Sequence, residues 1–281
     1  MRALLCGVRG STAEPGTAFA GVGGHTSCVA IPVDGGRWIV LDAGTGFRRL
    51  GAELDGRPLH GSILFSHLHW DHTQGLPFLP NADRPDADVA LWVPVDGDAA
   101  DPLAVLSRGM SPPHFPITPD QLQGTWTFNA MVPGRRQIEG VDVLTRQIAH
   151  KGGVTFGHRL DGPGQSLAYL PDHCPSIAGP ELLDAARAII EGVDVLVHGG
   201  PYVAAERDTA ERFGHAVIDD VIELARACSV GRLVLVHHAP GRTDDEIAEI
   251  ERRLAAAPLA VVVGREGMWV GDPSESGAGR R

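Results

Sequence analysis

The sequence has few cysteines, no long apolar run and a shortage of positive charge. Its 281 residues include four cysteines, Cys6, Cys28, Cys174 and Cys228, with no Cys-x-x-Cys pair. Thiols this sparse, in a chain of this size, do not form a disulfide framework. The longest unbroken apolar runs, Val89–Val93 and Leu259–Val263, are five residues each, whereas a transmembrane helix needs roughly 20. The apolar stretch at the N-terminus is too short for a signal peptide. A cytoplasmic protein in a reducing compartment, without a membrane partner, is therefore expected. Lys and Arg number 24 against 35 Asp and Glu, a formal charge of −11. An extended nucleic-acid surface normally shows as a basic face, so such a surface is not expected.

Glycine (36), proline (21) and histidine (13) are plentiful. Gly and Pro without low complexity point to tight connections between short elements. Strands are expected at Met1–Cys6, Thr26–Pro32, Trp38–Asp42, Ser62–Phe65 and Val89–Val93, between Gly-rich turns. Residues 95–137 read as irregular, with Ser111-Pro112-Pro113 and Phe115-Pro116 as turn signals. Strands resume at Val141–Ile148, Val154–His158 and Ser166–Leu170. Beyond these, helical spacing over Pro180–Glu191, His215–Ala227 and Thr243–Ala257 alternates with the strands Val193–Val197, Leu233–Val236 and Leu259–Val263. Such a pattern predicts a layered α/β protein with mixed sheets. Residues 1–271 read as one domain and 272–281 as a disordered tail.

The chemistry concentrates in Ser66-His67-Leu68-His69-Trp70-Asp71-His72, directly after an apolar strand. Imidazole and carboxylate are ligands of Zn and similar first-row ions. His67 and His69, two apart in extended chain, point the same way and can share an ion. Asp71 and His72, where the chain turns into a helix, can reach a second. Further ligands have to come from elsewhere. The candidates are His150, Asp172 and either His237 or His238, each where a predicted strand ends. Ligands at several strand ends converge on one edge of a layered sheet. Trp70 is read as packing, Asp42 as support behind the ligands, His60 and His158 as structural, and His198 as support or packing. His173 faces either pocket or solvent. His25, His114 and the segment Met110–Pro116 are surface loop or mouth of the site.

The His-x-His-x-Asp-His cluster and later single ligands resemble the metallo-β-lactamase-fold metallohydrolases, over roughly residues 1–270. The resemblance is strongest to the branch containing tRNA 3′-processing endonucleases (RNase Z) and small cyclic phosphodiesterases. It is carried by Gly23-Gly24-His25-Thr26-Ser27-Cys28, Leu41-Asp42-Ala43-Gly44-Thr45-Gly46, His150-Lys151-Gly152-Gly153, Tyr169-Leu170-Pro171-Asp172, Phe213-Gly214-His215 and Leu233-Val234-Leu235-Val236-His237. It implies a four-layer αββα sandwich of two mixed β-sheets flanked by helices. It also implies two divalent ions, Zn by default and Mn or Fe as alternatives. The first takes His67, His69 and His150, the second takes Asp71, His72 and His237, and Asp172 bridges them. Asp71 and His215 are the catalytic candidates, His215 as a non-ligand that contacts a phosphate oxygen or protonates the leaving group. Relatives in this branch often carry Tyr where His158 stands, and an acidic residue where Gly199 stands.

The leading expectation is a phosphodiesterase acting on a small (cyclic) phosphodiester through a metal-bridging hydroxide, with a homodimer as the candidate assembly. The alternative is a lactone- or thioester-type carboxyl hydrolase. A tRNA 3′-endonuclease ranks lower, because Leu160–Tyr169 leaves no room for a long tRNA-gripping arm and the net charge is negative. A non-catalytic metal-binding module ranks last.

Overall fold

A computed structural model describes residues 1–97 and 100–271; the tail expected at 272–281 lies outside them. In chain order the strands are β1 (Ala3–Gly7), β2 (Cys28–Pro32), β3 (Trp38–Leu41), β4 (His60–Leu64), β5 (Asp88–Pro94), β6 (Thr125–Met131), β7 (Gly134–Ile138), β8 (Val141–Gln147), β9 (Phe156–Gly162), β10 (Gln165–Leu170), β11 (Val195–Gly199), β12 (Arg232–Val236), β13 (Val261–Val263) and β14 (Trp269–Val270). The helices are α1 (Leu50–Leu54), α2 (Trp70–Thr73), α3 (Pro102–Ser107), α4 (Pro180–Ile190), α5 (Arg207–Phe213), α6 (Ile218–Ala227) and α7 (Asp244–Leu254).

Among the described residues the strands form two seven-stranded sheets. Their orders are β14-β1-β2-β3-β4-β5-β6 and β13-β12-β11-β10-β9-β8-β7. In the first sheet the pairings from β14 to β3 are antiparallel and those from β3 to β6 parallel. In the second the pairings from β7 to β10 are antiparallel and those from β10 to β13 parallel.

Side-chain alternation builds the layers. Leu5, Val29, Ile31, Ile39 and Leu41 of the first sheet meet Val143, Leu160, Leu167, Val197 and Val234 of the second in one buried cluster. The alternate residues Cys6, Ala30, Val40 and Ile63 face outward, against Phe47, Leu50 and Leu54. On the far side Ala168, Leu196, Leu233 and Leu235 pack on Ala186, Ile189 and Ile190 of α4 and on Val221 and Ala225 of α6. Strands buried on both faces read as nearly continuous apolar runs, which explains Val89–Val93 and Leu233–Val236. The result is the four-layer αββα sandwich of two mixed sheets.

Residues 95–137 depart from expectation. They hold α3, β6 and most of β7. β6 is an edge strand pairing only with β5, and its Thr-Trp-Thr-Phe alternation is a weak period-2 signal beside the Pro- and Gly-rich turns before it. The helix expected from His215 starts at Ile218, because His215–Val217 are non-helical and Val217 bridges Tyr202. Helix α5 has no counterpart in the sequence reading. None of the described helices is long and apolar enough to cross a membrane.

Candidate metal centre

All seven ligand candidates lie just beyond the carboxyl ends of strands. β4 ends at Leu64, and the chain then presents His67 and His69 before α2 begins at Trp70 with His69 as its N-cap. Asp71 and His72 occupy the buried side of that short helix. In the second sheet His150 follows β8, Asp172 follows β10 and His237 directly follows β12. Side chains from several strand ends meet in this way at one rim of an α/β sheet.

The structure brings these residues into two groups. His67, His69, His150 and Asp172 form one, and Asp71, His72, Asp172 and His237 form the other, each with ligand atoms within 4.8 Å of one another. Asp172 belongs to both. Its Oδ2 lies 3.3 Å from His67 Nε2 and 3.5 Å from both His150 Nε2 and His72 Nε2, and its Oδ1 lies 2.9 Å from His237 Nε2. Asp71 Oδ2 lies 3.1 Å from His237 Nε2 and 3.2 Å from His72 Nε2.

Donor chemistry and geometry together fit divalent cations. His67 Nε2, His72 Nε2 and Asp172 Oδ1 are buried yet lack an aligned hydrogen-bond partner, although neighbours stand at these short distances. Buried polar atoms left unpaired are costly, and imidazole–carboxylate sets of this kind hold Zn, Mn or Fe.

The residues behind the candidate ligands set their orientation. The Asp42 carboxylate accepts from Ser66 N at 2.7 Å, Ser66 Oγ at 2.8 Å, His72 Nδ1 at 2.7 Å and Tyr169 Oη at 2.9 Å. His150 Nδ1 donates to the Gly214 carbonyl at 2.7 Å. Each of these contacts puts the proton on Nδ1 and leaves Nε2 to face the cluster. Ser11 N donates to Asp71 Oδ2 at 2.8 Å. His237 is held by packing: a Cβ on Gly10 would lie 2.3 Å from its Nδ1. Asp42 and His237 both sit at positive φ, 60° and 58°, a conformation costly for residues other than glycine.

The two groups differ in charge. Burial pushes the His67 ring down to about 4, with His72 adding to the effect. Burial and then His150 lower His69. These rings are neutral and present free lone pairs. In the other group burial opposes charge, but ion pairing outweighs it. His72 and His237 hold Asp71 well below the usual carboxylate range, and His237 and His72 do the same for Asp172. In return Asp172 and Asp71 raise His237 to about 9, and Asp71, Asp42 and Asp172 raise His72 well above its ordinary value. A cation entering this second group displaces protons.

Among the remaining histidines, His25 and His114 line a cavity beside the cluster. His237, not His238, enters the cluster; His238 Nε2 donates to the Gly264 carbonyl at 2.9 Å. His215 is 8% exposed and its Nδ1 has no partner. Its ring centroid is 5.1 Å from His150 and 5.0 Å from His237, and it lines the hollow over the cluster with Tyr202 and Phe213. His173 faces neither pocket nor solvent, because it is buried and pairs with His198 at 3.0 Å. His158 is buried against Thr145, and His60 contacts the Asp86 carbonyl. Trp70 is not packing: it is 76% exposed, because α2 turns its ligand side inward. Tyr202 escaped the sequence reading, since an isolated aromatic in a loop carries no pattern, and Phe213, at the end of α5, stood inside a quoted motif without a role of its own. Tyr169 lay inside a quoted motif without a role of its own, and Ser11 carried no signal of its role.

Comparison with known proteins agrees with this architecture. The profile of the β-lactamase superfamily domain matches residues 37–238. The fold and the family match together define a metal-dependent hydrolase of the metallo-β-lactamase fold. A ribonuclease Z from Exiguobacterium is 32% identical over 80% of this chain and 88% of its own length. A ribonuclease BN from Salmonella paratyphi B is 32% identical over 51% of this chain and 42% of its own length. Among solved structures, the short form of human tRNase Z superposes with a TM-score of 0.68 at 19% identity, covering 97% of this chain and 100% of that one. A diphosphatase of the PhnP family gives 0.68 at 16% identity over 96% and 97%. Zn(2+)-bound PqqB from Methylobacterium extorquens gives 0.70 at 20% identity over 97% and 100%. The chain belongs to the β-lactamase superfamily, in the branch that holds the ribonuclease Z proteins.

Proposed function

We propose that residues 1–271 act as one dinuclear phosphodiesterase domain whose substrate is a small (cyclic) phosphodiester. The observation that carries this reading is the pair of His/Asp groups sharing Asp172, opening into a hollow where His215 has an unpaired buried nitrogen. His67, His69 and His150 would hold one ion, Asp71, His72 and His237 the other, with Asp172 between them and Zn as the default metal. When bound, two divalent cations acidify water and supply positive charge to phosphoryl oxygens. Ser11 N–H fixes the Asp71 carboxylate, and Asp42 fixes the ring of His72. His215 is placed to bind a phosphoryl oxygen or to pass a proton to the leaving oxygen. A small substrate is supported by the net charge of −11 and by the joint between β9 and β10, which leaves only Pro163 and Gly164 between the strands.

Likeness to a ribonuclease Z over most of both chains favours one second reading, cleavage of a tRNA precursor. The test is hydrolysis of bis-p-nitrophenyl phosphate by metal-analysed protein, beside a His69→Ala variant and a tRNA-precursor cleavage assay. Two metal equivalents per chain, with turnover lost in the variant and no precursor cleavage, is the expected result. Specific precursor cleavage would move the assignment to the second reading. Full metal content with lactone but no phosphodiester hydrolysis would overturn both.

A further inference from the structure

We infer that the cavity beside the metal cluster receives an aromatic ring on the non-leaving side of the substrate, and that Arg48 and Arg108 recognise an anionic substituent on that ring. This deepens the phosphodiesterase reading and rests on it. The cavity has a volume of about 910 Å³, at the upper end of the range for small-molecule sites. Its walls include Trp70, Phe78, Met110 and Phe115. Phe78 and Phe115 meet edge to face with centroids 5.9 Å apart, which fixes part of the wall. Leu68 and Trp70 line both this cavity and the hollow that contains His69, Asp71, Asp172 and His215. A ring held here is therefore continuous with a phosphorus held at the cluster.

Two further observations define the occupant. Among the described residues the exposed large apolar side chains are Trp70, Phe78, Ile177 and Phe213. The first two line this cavity and Phe213 lines the adjoining hollow. Exposed aromatics gathered at one mouth supply stacking faces for a planar ring. The chain is acidic overall, yet the cavity lining contains Arg48 and Arg108 and no carboxylate. Arg108 also borders a second cavity, of about 400 Å³, that reaches His67 and His69. Apolar walls, stacking faces and arginines together suit an aromatic ring that carries an anionic group.

The test uses the metal-loaded full chain and three esters with one leaving group: methyl, phenyl and 4-carboxyphenyl p-nitrophenyl phosphate. The expected order of kcat/KM is methyl below phenyl below 4-carboxyphenyl. Phe78→Ala, at a 55% exposed position, should cost the phenyl ester about tenfold and leave the methyl ester within about twofold. Arg108→Gln should erase the advantage of 4-carboxyphenyl over phenyl. Binding of 1-naphthyl phosphate, followed by tryptophan fluorescence, reads the cavity without turnover. It should weaken about tenfold in Phe78→Ala while inorganic phosphate binds unchanged. Equal losses on methyl and phenyl esters, or unchanged naphthyl phosphate affinity, would overturn the assignment. So would a Phe78→Ala variant that changes oligomeric state but not kinetics, which would give this face to a second copy of the chain. Weaker naphthyl phosphate binding without turnover of any phosphodiester would leave the cavity assignment standing and overturn the proposed reaction.

Discussion

The two sheets share one pairing pattern but deliver their candidate ligands in opposite ways. The first sheet places His67, His69, Asp71 and His72 on one stretch of chain after β4, so local backbone geometry fixes their spacing. The second supplies His150, Asp172 and His237 singly, each after a different strand, so only the register of β8, β10 and β12 brings them together. The flanking layers differ in the same sense. Short helices, α1 of five residues and α2 of four, cover the first sheet near the site, whereas α4, α6 and α7 have 10 or 11 residues. One half of the site is therefore built locally, and the other half exists only when the sandwich is assembled. Metal affinity and folding should then be coupled mainly through the second sheet.

The sharpest test of that contrast is the shared carboxylate. Asp172→Asn should remove both metal equivalents and lower phosphodiester turnover by about 10³-fold or more, a loss of several kcal/mol of electrostatic stabilisation. His69→Ala, on the local side, should remove one equivalent and leave the other. Metal analysis after dialysis distinguishes the two. An Asp172→Asn protein that retains a full equivalent would break the division into two groups around one carboxylate.

The same contrast explains what could be read without coordinates. The cluster at 67–72 was legible because four ligand types stand within six residues after an apolar strand. The strands of the second sheet were legible as buried runs, and α7 was legible in the helical spacing over Thr243–Ala257. The choice between His237 and His238 was not legible from spacing, since adjacent residues both follow β12. Packing of Gly10 on one ring and the Gly264 carbonyl on the other decides it. The exposure of Trp70 was hidden for a similar reason: a four-residue helix has too few turns to show which side is apolar. β6 was missed because an edge strand keeps polar side chains.

A smaller effect is expected one layer behind the ligands. Asp42 directly follows β3 of the first sheet, but its carboxylate also accepts from Tyr169 of β10 in the second. Asp42→Asn keeps the volume and removes the charge that holds the Nδ1 proton of His72. Loss of such a partner typically costs 10–100-fold in metal affinity, and competition with a chelator would measure it. Tyr169→Phe removes only the link from the second sheet and should cost less. Equal losses in the two variants would mean that register between the sheets, rather than the local loop, orients His72.

The smallest effect at neutral pH, and the one that isolates assembly of the sandwich from metal binding, concerns His158 on β9. Burial pushes this ring down to about 4 from its ordinary 6.5. It bonds Thr145 within its own sheet and reaches the Phe65 carbonyl of the first at 3.4 Å. The folded chain keeps it neutral, whereas the unfolded chain protonates it below about pH 6.5. Between those values the unfolded state binds more protons, so stability falls as pH drops and levels off below the folded value. One such group contributes a slope of about 1.4 kcal/mol per pH unit. Urea denaturation of chelator-stripped protein between pH 7 and 4 would therefore be less steep in pH for His158→Gln, whatever its offset at pH 7. A slope unchanged in the variant would show that this ring is already protonated in the folded chain, and that the contact between the sheets at Phe65 is weaker than its burial implies.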